Sequence, residues 1–398
     1  MNLQGKPLEE ISGAELQALI DNGVRESQTL EYKREVYGRG DEEIREMLRD
    51  ISSIANAFGG DLLIGVDEDK EGVAVALPGV ENAEVEAQRI VSSSLSNIQE
   101  RIPGLMAWPV PLQSGSSVIV VRIPRSLRAP HLVTFKGLNQ FWARHDRQKI
   151  PMSIHEVRDV CLRVEELMER LERFLEKRKR EILEEIDATP YYVITVTPIF
   201  VGTEVVEIGD QKVRGLLSNP PDQRYGGWTV PTGCHPEPTL NGLKTEVRDR
   251  TTLELFRNGH VELRVKIDQD SFCRQQLEIE GRQYRALYPY ALVEYPISLL
   301  RLSKAIYACL GLTDLKVICL SLYNINEFTL SRYATNDLVE SYYGPRLWHK
   351  QHLEIPAKQV PSLDEPDKVA KEFVDRIWQA FGYEQAPLFD DQGNFQPG

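Results

Sequence analysis

Long apolar runs are missing from this 398-residue chain; none approaches the roughly 20 residues that a membrane-spanning helix requires. The opening stretch MNLQGKPLEEISG lacks the charged-then-apolar pattern of a secretory leader. Cysteine is scarce. Its five copies, at 161, 234, 273, 309 and 319, form no CxxC pair, which argues against both a disulfide framework and a cysteine-based zinc site. A reducing cytoplasm, away from any membrane, is the expected setting. The GxxxxGK[ST] loop that cradles nucleotide phosphates is absent, so no P-loop site is expected, and GxGxxG after a strand, HExxH and GxSxG are absent too. Positive charge is also in deficit. A net charge of −13 opposes polyanion binding by the molecule taken as a whole.

What is present is unevenly distributed. From Arg122 to Lys149 the chain carries Arg122, Arg125, Arg128, Lys136, Arg144, Arg147 and Lys149 against the single acid Asp146, a local excess of six positive charges. Such a segment on an acidic protein is either a phosphate-contacting face or a set of strand-edge cations that keep a sheet soluble.

The hydrophobic periodicity predicts a mixed N-terminal region. Helix is expected at 8–22 with Ser12 as cap, then a strand at 29–34. A second helix carries Ile44, Met47, Leu48, Ile51, Ile54, Ala55 and Phe58 on one stripe and stops at Gly59-Gly60. DLLIGVD is an apolar run too short for a helix and suits a buried strand. A helix at 83–99, strands at 105–112 and 116–123, and a hairpin turning at Lys136-Gly137 complete this region. One long amphipathic helix follows at 153–187. Beyond it, YYVITVTPIFV, LELFRNGHVELRV with its Asn258-Gly259 turn, and LKVICLSL read as strands, with helices at 297–310 and near the C-terminus. The Pro- and Gly-rich stretch 219–238 reads as a long surface loop. The fold class is therefore α+β: a mixed α/β region over 1–155, a connecting helix over 156–187, a second α+β region over 188–383 with no assigned role, and a disordered tail over 384–398.

Within the first region the segment ESQTLEYK places Glu26 and Glu31 five residues apart, with Lys33 on the strand face of Glu31. Pairing this strand with DLLIGVD would bring their polar ends near the acids of Asp67-Glu68-Asp69. Clustered carboxylates repel unless a cation lies between them, and carboxylate ligation suits Mg²⁺ or Mn²⁺. Such an ion would polarise a phosphodiester and activate water, with Lys33 neutralising the transition state. A solvated strand start ending in acids is the plain alternative.

The order ES-x-x-LEYK, IANAFGG, LLIGVD and then a basic segment with FWARHD before SIHEV resembles the AlbA-like core domain of the Schlafen family, over residues 8–160. The resemblance implies a metal-dependent endoribonuclease acting on structured RNA, with transfer RNA foremost, and plausible roles in stress or antiphage defence. By position it assigns Glu26 and Glu31 as the first two acids. The third falls within 67–69, with Asp67 or Asp69 preferred on strand parity. Arg122, Arg125, Arg128, Lys136, Arg144, Arg147 and Lys149 would grip phosphates. Asn56, Gly59 and Gly60 match the family's structural turn. Vertebrate members embrace RNA with two lobes; a single lobe here implies a homodimer or higher homo-oligomer. The alternative is a non-catalytic nucleic-acid-binding regulator using the same basic face.

Overall fold

The computed structural model describes residues 3, 6, 8–145, 148–268, 272, 273, 275–279, 282–312, 314–331 and 346–396, with 275–279 as backbone alone. The chain divides into two compact units, one of Met1–Arg170 with Gly311–Asp314, the other of Leu171–Leu310 with Leu315–Gly398.

In the first unit the expected 8–22 helix is broken. A 3-10 turn at Leu8–Glu10 precedes α1 (Gly13–Asp21), because Ser12 is extended and starts a fresh helix. Glu15 reaches back to the Ser12 backbone N–H at 2.9 Å, a capping-box contact. The unit holds α2 (Asp41–Asn56), α3 (Ala83–Asn97) and the start of α4 (Ile154–Ile186). Its strands are β1 (Leu30–Lys33), β2 (Gly60–Ile64), β3 (Asp67–Glu68), β4 (Ala74–Ala76), β5 (Ile98–Gln99), β6 (Met106–Pro111), β7 (Ser117–Ile123), β8 (Leu132–Phe135), β9 (Leu138–His145) and β10 (Gln148–Pro151). The main sheet runs β1-β2-β7-β6, with β1 parallel to β2 at one edge. A second sheet runs β10-β9-β8-β5, and β3 pairs with β4 as a separate ribbon.

Strand alternation gives the main sheet two cores. Leu62, Ile64, Ile119 and Val121 pack with Met47, Leu48, Ile51 and Ile54 of α2 and with Ala87 and Ile90 of α3. Tyr32, Leu63, Val118 and Val120 face the other way, against Leu3, Leu8, Leu16 and Leu19. The helix α2 begins with Asp41, Glu42 and Glu43, acids suited to a helix N-terminus, and ends where the Gly59 N–H returns to the Ile54 carbonyl at 3.0 Å.

The second unit holds the rest of α4 and α5 (Gln211–Ser218), α6 (Pro289–Leu310) and α7 (Pro366–Ala380). Its strands are β11 (Tyr191–Pro198), β12 (Glu237–Pro238), β13 (Gly242–Val247), β14 (Thr251–Phe256), β15 (Val261–Lys266), β16 (Gln275–Ile279), β17 (Arg282–Leu287), β18 (Lys316–Tyr323), β19 (Phe328–Leu330) and β20 (Leu353–Val360). Seven of them form one sheet, β12-β13-β14-β15-β11-β18-β20, and β16-β17-β19 form another.

Three sequence expectations change here. The helix expected at 297–310 starts at Pro289 and runs through Pro296. Proline at 296 cannot donate to the Leu292 carbonyl, and the Tyr192 hydroxyl donates to that oxygen instead, at 2.9 Å. The 219–238 stretch is not all surface: Val230 is buried, and the N–H groups of Trp228 and Val230 donate to the Glu294 carboxylate and the Ser298 hydroxyl. The tail expected to be disordered from 384 is packed through its described residues. Ala386 and Leu388 are buried, the Ala386 N–H donates to Asp375, and Phe389 and Phe395 meet edge to face across an isolated bridge. Two aromatics and a leucine give that segment apolar area to bury, which its polar composition hides.

Candidate functional site

The opening motif folds as a tight turn feeding an edge strand. The Ser27 N–H donates to the Leu30 carbonyl at 3.0 Å, and the Ser27 hydroxyl accepts the Thr29 N–H. Gly60 allows the closest approach, since a Cβ there would collide with the Thr29 carbonyl. As expected, β1 and β2 are neighbours, with Glu31 opposite Leu62 and Lys33 opposite Ile64.

The acids nevertheless go to different places. Glu26 turns its carboxylate to the free edge of β1, where Oε1 accepts the Tyr32 N–H at 2.9 Å. Glu31 shares a sheet face with Leu62 and points toward α2. Asp67 pairs with Arg34 at 2.8 Å. Asp69 closes the turn between β3 and β4, its Oδ1 accepting the N–H groups of Glu71 at 2.8 Å and Val73 at 2.9 Å. Those bonds, Val73's first, hold its carboxyl below the usual range. Glu68, the middle acid of the run, acts on Tyr32 together with Glu26; burial first, then these two charges, pushes the Tyr32 phenol up. Among the described residues no group of three or more His, Cys, Asp or Glu side chains is arranged to hold a metal ion. The donor set therefore does not fit a three-carboxylate Mg²⁺ or Mn²⁺ site, because strand alternation and turn chemistry have already engaged its members separately.

What does converge is a mixed network around Glu31. Its Oε2 pairs with the Arg144 guanidinium, and its Oε1 with Lys149 Nζ at 2.7 Å and Lys33 Nζ at 3.4 Å. The same two lysines reach Asp50, fully buried on α2, with Lys33 at 3.5 Å. Lys33 also meets Glu46 at 3.3 Å, and the Tyr37 hydroxyl donates to Asp50 at 2.6 Å. Burial pushes the Glu31 carboxyl up, but Lys149, Arg144 and Lys33 together outweigh it and hold it low. For Asp50 burial wins over Lys149 and Lys33, with Glu31 adding to it, and the carboxyl is raised. Burial pulls Lys33 down, yet Asp50, Glu31 and Glu46 raise it. Asp50 and Glu46 were not singled out from sequence. The available signal was an aspartate three residues after Met47, on the apolar stripe of an otherwise clean amphipathic helix.

The basic segment does not form one face. Arg122 lies on the α1 side of the main sheet, buried against Asp61 at 3.0 Å and the Leu3 carbonyl at 2.8 Å. Arg144 lies on the α2 side, also buried, and caps the Ser27 carbonyl at 2.9 Å. Lys149 serves Glu31 and Asp50, and Lys136 pairs with Asp41 at 2.7 Å. Arg125 sits over the Phe58 ring, 5.9 Å from its centroid, and Arg128 is exposed. Arg147 lies outside the described residues. Arg122 stands on β7 of the main sheet and Arg144 on β9 of the second sheet, so cations close in sequence are carried to different sheets.

Asn56 is architectural. Buried at the end of α2, its amide donates to the His131 carbonyl at 3.1 Å and the Trp142 carbonyl at 3.0 Å and accepts the His131 N–H. It ties the helix to the β8–β9 hairpin that delivers Arg144.

No helix among the described residues is long and apolar enough to cross a membrane. No curated protein matches the sequence. Solved structures are similar over part of the chain, two of them as follows. The DIP2311 protein of Corynebacterium diphtheriae is 16% identical over 35% of this chain and 26% of its own, with a TM-score of 0.25. The N-terminal domain of a putative ATP-dependent DNA helicase RecG-related protein from Nitrosomonas europaea is 21% identical over 36% of this chain and 97% of its own, with a TM-score of 0.26. The match thus spans about a quarter of the first structure. The family model described as Schlafen, AlbA_2 matches residues 26–153, from the glutamate of ESQTLEYK to the serine that precedes α4. Residues 26–153 of this chain are a Schlafen AlbA_2 domain.

Proposed function

We propose that this protein binds nucleic acid through its Schlafen AlbA_2 domain and does not depend on a divalent metal to do so. The family match supports a nucleic-acid-related role. The observation that carries the rest is the state of Glu31. A carboxylate bracketed by Arg144, Lys149 and Lys33 is already neutralised, and a divalent ion would have to displace lysines that also serve Asp50. Electrostatic attraction to a phosphate chain then rests on exposed cations, and affinity falls steeply with salt.

A second reading, a metal-dependent endoribonuclease acting on structured RNA with transfer RNA first, is favoured by one observation. The Glu26 carboxylate, which accepts the Tyr32 N–H at 2.9 Å, stands against the strand that carries Glu31, so the first two acids of the motif lie five residues apart on one turn and strand. That chemistry would need Glu31 to leave its three cations and join Glu26 with Mg²⁺ or Mn²⁺.

Incubating wild type and Glu31→Gln with transfer RNA, with and without Mn²⁺, separates the two. Binding proposed here gives a salt-sensitive complex and intact RNA in every lane. Mn²⁺-dependent cleavage that disappears in Glu31→Gln would establish the nuclease instead. Static light scattering on the same sample tests the homodimer expected from a single lobe.

A further inference from the structure

Charge interrupts the stripe that α4 turns toward the large sheet of the second unit. Leu175, Arg178, Lys179 and Ile182 share that stripe by helical spacing, and two of the four are cations. Each cation reaches outward. The strands beneath run in the order β15-β11-β18-β20; Arg178 holds Glu262 of β15 at 2.7 Å, and Lys179 holds Glu354 of β20 at 2.6 Å. The two side chains therefore straddle β11 and β18, where the floor is made of short side chains. Thr195 stands opposite Cys319, and Val193 opposite Ser321. Cations drawn apart over such a floor leave a cavity of about 350 Å³ between helix and sheet. Leu175, Ile182 and residues 355–357 of β20 wall it. The gap is local, because one turn further on Ile182 and Ile186 pack with Val193 and Tyr323.

The floor offers hydrogen bonds without charge. Thr195 and Ser321 carry hydroxyls, and burial pushes the Cys319 thiol up, against the effect of Thr195, so that it keeps its proton. The charges at the walls are matched, Arg178 by Glu262 and Lys179 by Glu354, while Glu176 is exposed to water at the rim. His260 is engaged as well, its ring nitrogens 2.8 Å from Thr197 and 3.4 Å from Glu262. An ionic ligand would enter without a counter-charge of its own, a costly step in a largely apolar site. Volume sets a second limit. At the ~30 Å³ that one water takes in the liquid, the cavity holds roughly a dozen non-hydrogen atoms. We propose that this cavity binds a small uncharged molecule, largely apolar and bearing one hydroxyl or carbonyl group. Its apolar body lies against Leu175 and Ile182, and its polar group meets Thr195, Cys319 or Ser321. The partly exposed Lys179–Glu354 pair, weak as surface pairs are, is the side from which the molecule enters. The site lies within the second unit and does not rest on the nucleic-acid reading of the first.

Isothermal titration calorimetry of the full chain with tryptophol, indoleacetate and tryptamine tests the charge preference on one ring of suitable size. Tryptophol should bind at a single site, and the anion and the cation each about tenfold or more weakly, the penalty of an unmatched buried charge. Labelling by N-ethylmaleimide, mapped by mass spectrometry, is an independent readout because Cys319 lines the cavity. Saturating tryptophol should slow labelling of Cys319 several-fold and leave the exposed Cys161 and Cys309 unchanged. Ser321→Leu fills the floor and should weaken tryptophol by about tenfold. Should that variant fail to fold, protection of Cys319 in the wild type decides alone. Absence of both heat and protection at the solubility limit of tryptophol would overturn the proposal. Binding that leaves Cys319 labelling unchanged, or that persists in a folded Ser321→Leu, would place the probe elsewhere and overturn it too. Equal affinity for all three probes would overturn the uncharged class.

Discussion

Each unit of this protein encloses one glutamate paired to one buried arginine, and the two pairs are built to different ends. In the second unit Glu262 of β15 is sealed. Arg178 of α4 grips it with two nitrogens, at 2.7 and 2.8 Å, while stacking 5.1 Å from the Phe256 ring centroid. His260, also buried, lies 3.4 Å from the same carboxylate and donates or accepts at Thr197. In the first unit Glu31 holds an equally buried Arg144, but its remaining partners, Lys33 and Lys149, keep 25% and 18% of their side chains at the surface. Glu262 is held by two arginines, Arg178 in two-point contact and Arg264 at 3.2 Å, with the partly exposed Glu181 and Glu185 on the outer side of Arg178. Glu31 is instead reached from solvent by flexible ammonium groups. The same glutamate–arginine pair is completed by a further arginine in one unit and by solvent-reached lysines in the other.

Removing one carboxylate from each network is the direct way to test that contrast. Glu262→Gln removes the one fully buried carboxylate from Arg178, which keeps only the partly exposed Glu181 and Glu185, and the expected loss is about 3 kcal/mol in the second unit, the low end for breaking a buried pair. A urea midpoint shift at constant m-value reads it; a loss under about 1 kcal/mol would mean that the pair carries no such weight. Glu31→Gln should cost less, about 1–3 kcal/mol, since Lys33 and Lys149 can turn to water and Arg144 retains the Ser27 carbonyl. Equal or greater loss at Glu31 would erase the difference between the networks.

Acid should separate them more gently. Burial pushes the Glu262 carboxyl up, but hydrogen bonds from Arg178 and His260 and their charges bring it down to about 2 from an ordinary 4.5. A depressed carboxyl contributes stability that is present above its unfolded value and lost as pH falls through its folded one. The second unit should therefore weaken steadily from pH 4.5 toward 2, and Glu262→Gln should flatten that slope. In the first unit Glu31 is lowered and contributes with the same sign, whereas Asp50 is raised and takes its proton earlier in the folded state, which opposes the loss. Denaturation midpoints measured across that range should show the shallower acid dependence in the first unit. A steeper one would show that Asp50 does not offset Glu31.

Much of the fold was legible because period and punctuation agree locally. The stripe of α2 and its Gly59-Gly60 stop, the parallel pairing of LEYK with DLLIG, the Lys136-Gly137 hairpin and the 33-residue α4 all follow from residues a few positions apart. The misses share a cause. A helix that runs through Pro296 depends on a hydroxyl from Tyr192, and the order of residues 384–396 depends on Asp375 and Asp367, partners that no local window contains.

The candidate site divides along the same line. The residue types and their spacing, Glu26 and Glu31 five apart with Lys33 on one face, were set by the sequence alone, because strand alternation is a property of the backbone. Which charge meets which was decided only when the sheet closed. Folding put Arg122 and Arg144 on different sheets, brought Asp50 from an apolar helix stripe to the lysines, and spent Asp69 on a turn. Electrostatic partnership depends on distances of a few ångströms between segments a hundred residues apart, and those distances exist only in three dimensions.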